Sequence, residues 1–87
     1  MAIDQSASVR DQVREFVKDL ASAKGVASFT DEEPLIDSGI IDSLSIFRVV
    51  SFVEDTFRIR VSDEEITNEN LQSVETIERL VLQKQRK

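Results

Sequence analysis

The chain has 87 residues, 17 acids against 11 bases for a formal charge of −6, and no histidine, cysteine, tryptophan or tyrosine. That length fits one domain with a modest core, and the missing cysteine excludes disulfides, thiolate metal sites and a cysteine nucleophile. The missing histidine removes the commonest neutral-pH base and metal ligand, while the acidic balance repels nucleic acid and anionic membranes and favours basic protein partners.

The first residues, Met1-Ala2-Ile3-Asp4, have neither the basic nor the apolar region of a secretory signal. No apolar run approaches the length of a membrane span. The cytoplasm is the expected location, with no nucleic acid and no membrane insertion. Val9, Val13, Phe16, Val17 and Leu20 recur at helical spacing and predict a first helix. Ser8 stands as its N-cap, with Asp11 at the third position, and Lys24-Gly25 as its end. Both glycines (Gly25, Gly39) and the one proline (Pro34) lie between residues 25 and 39. Punctuation confined to one stretch predicts a long ordered loop, which is unusual in a small domain unless it is functional. Within it, Asp31-Glu32-Glu33 reads as a solvated acidic segment, since a divalent cation needs more oxygen ligands than this. No metal site is expected.

After Asp42-Ser43, the stretch Leu44 to Phe57 is too long for a strand and lacks strict alternation, so it predicts a second helix. Phe47, Val50, Val53 or Glu54, and Phe57 share one face, and the phenylalanines are read mostly as core. Apolar residues spill well beyond that face. The helix is therefore either central or leaves apolar groups exposed for a partner. Glu54 and Asp55 are adjacent and diverge on a helix, so they do not form an acid–base pair. Arg58-Ile59-Arg60-Val61 alternates and is expected to cross in extended form. Ser62 with Glu65 makes a capping box, with a short helix or turn from Asp63 to Asn70. Ser73 caps a last helix through Val74, Ile77, Leu80 and Val81, with Lys84, Arg86 and Lys87 at its end. The expected fold is all-α: a four-helix bundle with a long loop between helices 1 and 2 and a short third helix, in one domain over residues 1–87. Its core runs from about 8 to 84, with short flexible termini.

The informative segment is Asp37-Ser38-Gly39-Ile40-Ile41-Asp42-Ser43-Leu44. Asp-Ser-Gly gives a turn, two apolar residues anchor the loop, and Ser43 sits where the second helix begins. A hydroxyl there is exposed and lies near unpaired backbone N–H groups, which with the helix dipole favour a negative group attached at that point. Asp42 could cap the helix or orient a modifying enzyme.

These residues resemble the acyl carrier and peptidyl carrier superfamily, whose attachment motif is Asp-Ser-Leu at the start of the second helix. Here it reads Asp42-Ser43-Leu44 after Asp37-Ser38-Gly39-Ile40. Downstream, Glu54-Asp55-Thr56-Phe57-Arg58-Ile59, Asp63 to Leu71, and Ser73 to Leu82 are similar to the rest of that family's helices. The resemblance spans about residues 8 to 84. It implies a 4'-phosphopantetheine arm on Ser43, moved there from coenzyme A by a phosphopantetheinyl transferase, with Asp42 and Leu44 beside it. The arm carries the thiol, which suits a chain with no cysteine or histidine. A freestanding, monomeric shuttle of this kind holds acyl or aminoacyl groups as thioesters. Loading ligases, transferases and synthases of fatty-acid or natural-product pathways act on it, and it is no enzyme itself. Leu44, Ile46, Glu54 and Asp55 are the expected partner contacts. Arg48 stands where fatty-acid carriers often have glutamate, which argues against a housekeeping fatty-acid role. Asn70-Leu71-Gln72-Ser73 with Val74 is closer to D-alanyl and other specialised carriers.

Two acid-rich stretches without a base, Val26 to Phe47 and Val61 to Glu78, suit basic partners. One alternative is an acidic helical adaptor that binds a basic protein with Ser43 unmodified. Another is a hydrolase with Ser43 as nucleophile, disfavoured because no histidine or nearby lysine could activate it.

Overall fold

The computed structural model describes residues 8–85. Met1–Asp4, the termini expected to be flexible, and Arg86 and Lys87 at the end of the last helix lie outside the described residues. The elements run α1 (Val9–Ala23), α2 (Ser43–Phe57), a 3-10 turn (Asp63–Glu65) and α3 (Val74–Gln85). The described residues are all-helical, without strands.

The helices begin and end where local chemistry says they should. Ser8 Oγ accepts from the Asp11 N–H at 3.2 Å and opens α1. At the other end, Gly25 takes φ +80°. Its N–H donates to the Ser22 carbonyl and the Val26 N–H to the Ala21 carbonyl, closing the helix with a Schellman pair. Ser73 and Thr76 cap α3 reciprocally: Thr76 N–H donates to Ser73 Oγ, and Ser73 N–H to Thr76 Oγ1. Glu65 Oε1 accepts from the Ser62 N–H at 2.9 Å, the expected capping box.

That box opens less helix than the sequence predicts. Over Asp63 to Asn70, where the sequence predicts a short helix or turn, there is a single 3-10 turn, so the described residues hold three α-helices and the expected short third helix is reduced to that turn. The reason is local competition for the backbone. Asn70 Nδ2 donates to the Glu65 carbonyl at 2.8 Å, and Asn70 N–H donates to Thr67 Oγ1. Side chains satisfy backbone groups that a continuing helix would have bonded to other backbone groups four residues away.

The core is one cluster. Val13, Val17, Leu20 and Ala21 come from α1, Val49, Val50 and Val53 from α2, and Val74, Ile77, Leu80 and Val81 from α3. Leu35, Ile40, Ile41, Val61 and Leu71 complete it from outside the helices. The connection between α1 and α2 is therefore part of the core. It is also tied by backbone: Leu35 N–H donates to the Gln72 carbonyl at 2.7 Å, and Glu75 N–H to the Asp31 carbonyl at 3.0 Å.

The phenylalanines correct the expected face of α2. Phe47 is 62% exposed, and Phe16, Phe29, Phe52 and Phe57 are half-buried around the core and not inside it. The buried stripe is Ser45, Val49, Val50 and Val53. The β-branched valines fit the narrow interior, and the rings close its flank. Phe16 of α1 stacks on Phe52 of α2 at 4.4 Å, and Phe57 meets Phe52 edge-on at 6.0 Å. The exit from α2 departs from the expected extended run at its first residue. Arg58 adopts the left-handed conformation (φ 57°, ψ 47°) and stops the helix. Ile59, Arg60 and Val61 then continue outside any regular element.

Asp31 is not the solvated acid that its neighbours suggest. Arg14 grips it with two bonds, Nε to Oδ1 at 2.9 Å and Nη2 to Oδ2 at 2.8 Å, and Arg10 reaches Oδ2 at 3.3 Å. Arg10 also holds Glu78 of α3 at 2.8 Å, so one network joins α1, the loop and α3. The Arg14 hydrogen bond holds the Asp31 carboxyl below the usual carboxylate range. A depressed folded-state value means stabilisation that is complete above the unfolded value, about pH 4, and lost as pH falls through the folded one. Asp31→Ala is expected to cost about 1–2 kcal/mol near neutrality, at the low end because both guanidinium groups still reach water. Urea unfolding should show that difference at pH 7 and a smaller one at pH 3. An unchanged gap at pH 3 would mean that the carboxylate charge is not what stabilises.

Candidate functional site

Asp37-Ser38-Gly39 folds as the expected turn. Ser38 N–H donates to the Pro34 carbonyl, Gly39 N–H to the Ile36 carbonyl, and Ser38 Oγ to the Leu35 carbonyl. Gly39 takes φ +86°, which an L side chain rarely adopts. Ile40 and Ile41 follow with 0% and 1% exposure, so the chain reaches α2 firmly anchored.

Asp42 is the N-cap of α2 and Ser43 its first residue. Asp42 Oδ1 accepts from the Leu44 N–H at 3.1 Å and the Ser45 N–H at 2.8 Å. Its other oxygen accepts from Lys24 Nζ at 2.7 Å. The Lys24 bond first, and then the Ser45 N–H, hold this carboxyl far below the usual carboxylate range. Two of the first-turn N–H groups expected to attract a negative group on Ser43 are thus already taken by Asp42. What remains at Ser43 is an exposed side chain whose hydroxyl bonds to no other described residue. Capping is done by Asp42, so it does not account for a serine at position 43.

The expected partner contacts separate. Leu44 is 78% exposed, half a turn away from the Val53 face of α2. Ile46 is half-buried and packs on the core, so it is not the exposed contact the sequence suggests. Glu54 is partly buried and works inside the molecule: its Oε2 accepts the Val61 N–H at 2.8 Å and pins the segment after α2. Asp55 is exposed. Among the described residues, no cluster of three His, Cys, Asp or Glu is placed to hold a metal ion. No described helix is long and apolar enough to cross a membrane.

Over 75 residues the chain is 35% identical to "Aminoacyl carrier protein 1" of Bradyrhizobium diazoefficiens, covering 85% of this chain and 82% of that protein. The chain belongs to the acyl and peptidyl carrier protein superfamily. No protein-family model and no solved structure matches it. The all-helical architecture is consistent with a carrier fold.

One residue of this carrier escapes sequence reasoning. Lys24 closes α1 and, 18 positions away, clamps the N-cap of α2. The only local signal is that Lys24 and Arg48 bracket a stretch without bases. Lys24→Met is expected to raise the Asp42 titration toward the ordinary range near pH 4, while the Ser45 N–H keeps it below that range. Carbon-13 titration of the Asp42 carboxyl checks this. An unmoved midpoint would show that the cap alone sets it.

Proposed function

We propose that Ser43 bears a 4'-phosphopantetheine arm and that this single carrier domain holds aminoacyl or other acyl groups as thioesters on it. The observation that supports this is Ser43 itself: an exposed hydroxyl without a described partner, at the first position of a helix that its neighbour already caps. The arm supplies the thiol, and the chain supplies a firm, acidic base to stand it on. The name of the Bradyrhizobium relative favours aminoacyl cargo, in keeping with Arg48 and the Asn70 to Val74 segment. The partners are then a phosphopantetheinyl transferase that modifies Ser43, a ligase that loads the thiol, and transferases or synthases that unload it. A monomer in the cytoplasm suits a carrier that must exchange partners.

Intact mass after incubation with coenzyme A and a promiscuous transferase tests the reading. One phosphopantetheine adduct per chain is expected. No adduct on folded protein, across several transferases, would leave the acidic adaptor as the better account.

A further inference from the structure

An arm on Ser43 brings a negative charge to a place that already holds one. The neighbouring Asp42 carboxyl is held far below the usual carboxylate range, so it is ionised near neutral pH. A phosphodiester on Ser43 adds a second anion beside it, and like charges this close repel unless a cation stands between them. The helix start offers little relief, because the Leu44 and Ser45 N–H groups are bonded to Asp42 Oδ1. Residues 26–47 contain no lysine or arginine. Arg48 follows Ser43 by five positions, which places it about 140° around α2, on the flank with Ser51 and Phe52. Arg58 lies past the far end of α2, about 22 Å along its axis. Lys24 is the described base that contacts this segment, with Nζ donating to Asp42 Oδ2 at 2.7 Å. Its side chain is 39% exposed, and an ammonium has three donors, so hydrogens remain for a second anion.

We infer that Lys24 is a positioning residue for the arm: its ammonium bridges the Asp42 carboxylate and the phosphodiester on Ser43, and so ties the root of the arm to the end of α1. The inference rests on the carrier reading of Ser43. An exposed hydroxyl, next to an N-cap that holds a cation with spare donors, fits a phosphodiester. Lysine suits the task, since a compact ammonium on a flexible stem serves two oxygens set at different angles. The modified serine is then joined to both helices through one side chain.

The test is a cycle in which the arm and Lys24 are removed separately and together, read by urea unfolding of the full chain. Attachment of the arm, verified by intact mass, is expected to change the folding equilibrium constant of the parent by less than about two-fold. In Lys24→Met it should lower that constant about four-fold at low salt, and the loss should shrink in about 0.5 M sodium chloride. Lys24→Arg, which keeps the charge, should behave as the parent. A lysine that only braces Asp42 costs the same with and without the arm, so equal losses in the two Met chains would overturn the inference. The phosphorus-31 resonance gives a second reading that needs no variant. In the modified parent it should differ from that of a synthetic phosphopantetheinyl peptide covering residues 37–47, which has no base, and move toward it as salt is added. Coincident resonances at low salt would also overturn the inference. A parent that takes no arm at all removes the carrier reading, and this inference with it.

Discussion

Replacing Ser43 with alanine is expected to abolish the phosphopantetheine adduct while leaving the fold where it was. The hydroxyl bonds to no other described residue and faces solvent, so its loss leaves no orphaned partner. Alanine is a good helix former at a first-turn position, and surface changes of this kind stay within about 0.5 kcal/mol. The neighbouring Asp42→Ala variant makes the contrast. It strips the acceptor from two N–H groups and the partner from Lys24, so it should weaken the start of α2 and slow modification together. Mass spectrometry and urea unfolding on both variants separate the attachment point from its support. An adduct that survives in Ser43→Ala would move the site to another serine. Ser45 is 8% exposed and is a poor candidate.

Leu35→Ala is expected to cost about 2–5 kcal/mol, the range for a fully buried leucine whose site cannot collapse. Leu35 is 0% exposed although it sits in a connection between helices. It belongs to the single core cluster, and its N–H is bonded to the Gln72 carbonyl. Small domains are held by about 5 kcal/mol or little more, so this one truncation should bring the chain close to unfolding at room temperature. The half-buried neighbour supplies the control: Ile36→Ala should cost clearly less. Equal, small losses at both positions would mean that the connection does not belong to the cooperative core.

Much of this architecture is written in short-range signals. Ser8, Ser73 and the Ser62–Glu65 pair announce helix starts because a cap is a contact between near neighbours. Asp42-Ser43 after an anchored turn marks the start of α2 for the same reason. Besides the Lys24 clamp, three things were not legible. The partners of Asp31 lie 17 and 21 positions away, and no periodicity records a contact at that distance. In α2 the apolar residues exceed one face, so spacing alone does not choose between Phe47 and Val49 for the interior. The element after Ser62 depends on which of two hydrogen-bond partners Asn70 and Thr67 select, a contest between helix and local side-chain bonds whose energies are close. The carrier family was readable from the resemblance around Asp42-Ser43-Leu44.

The Asp42 carboxylate has consequences for time as well as for place. Both of its oxygens are occupied, one by two amide hydrogens and the other by Lys24, and its proton affinity is held very low. Such a group neither accepts a proton from water nor donates one to a leaving thiol near neutral pH. With no imidazole or thiol anywhere in the chain, a labile ester presented at Ser43 would meet neither of those groups, nor an acid in Asp42. The clock for release would then belong to whichever protein came to collect the ester.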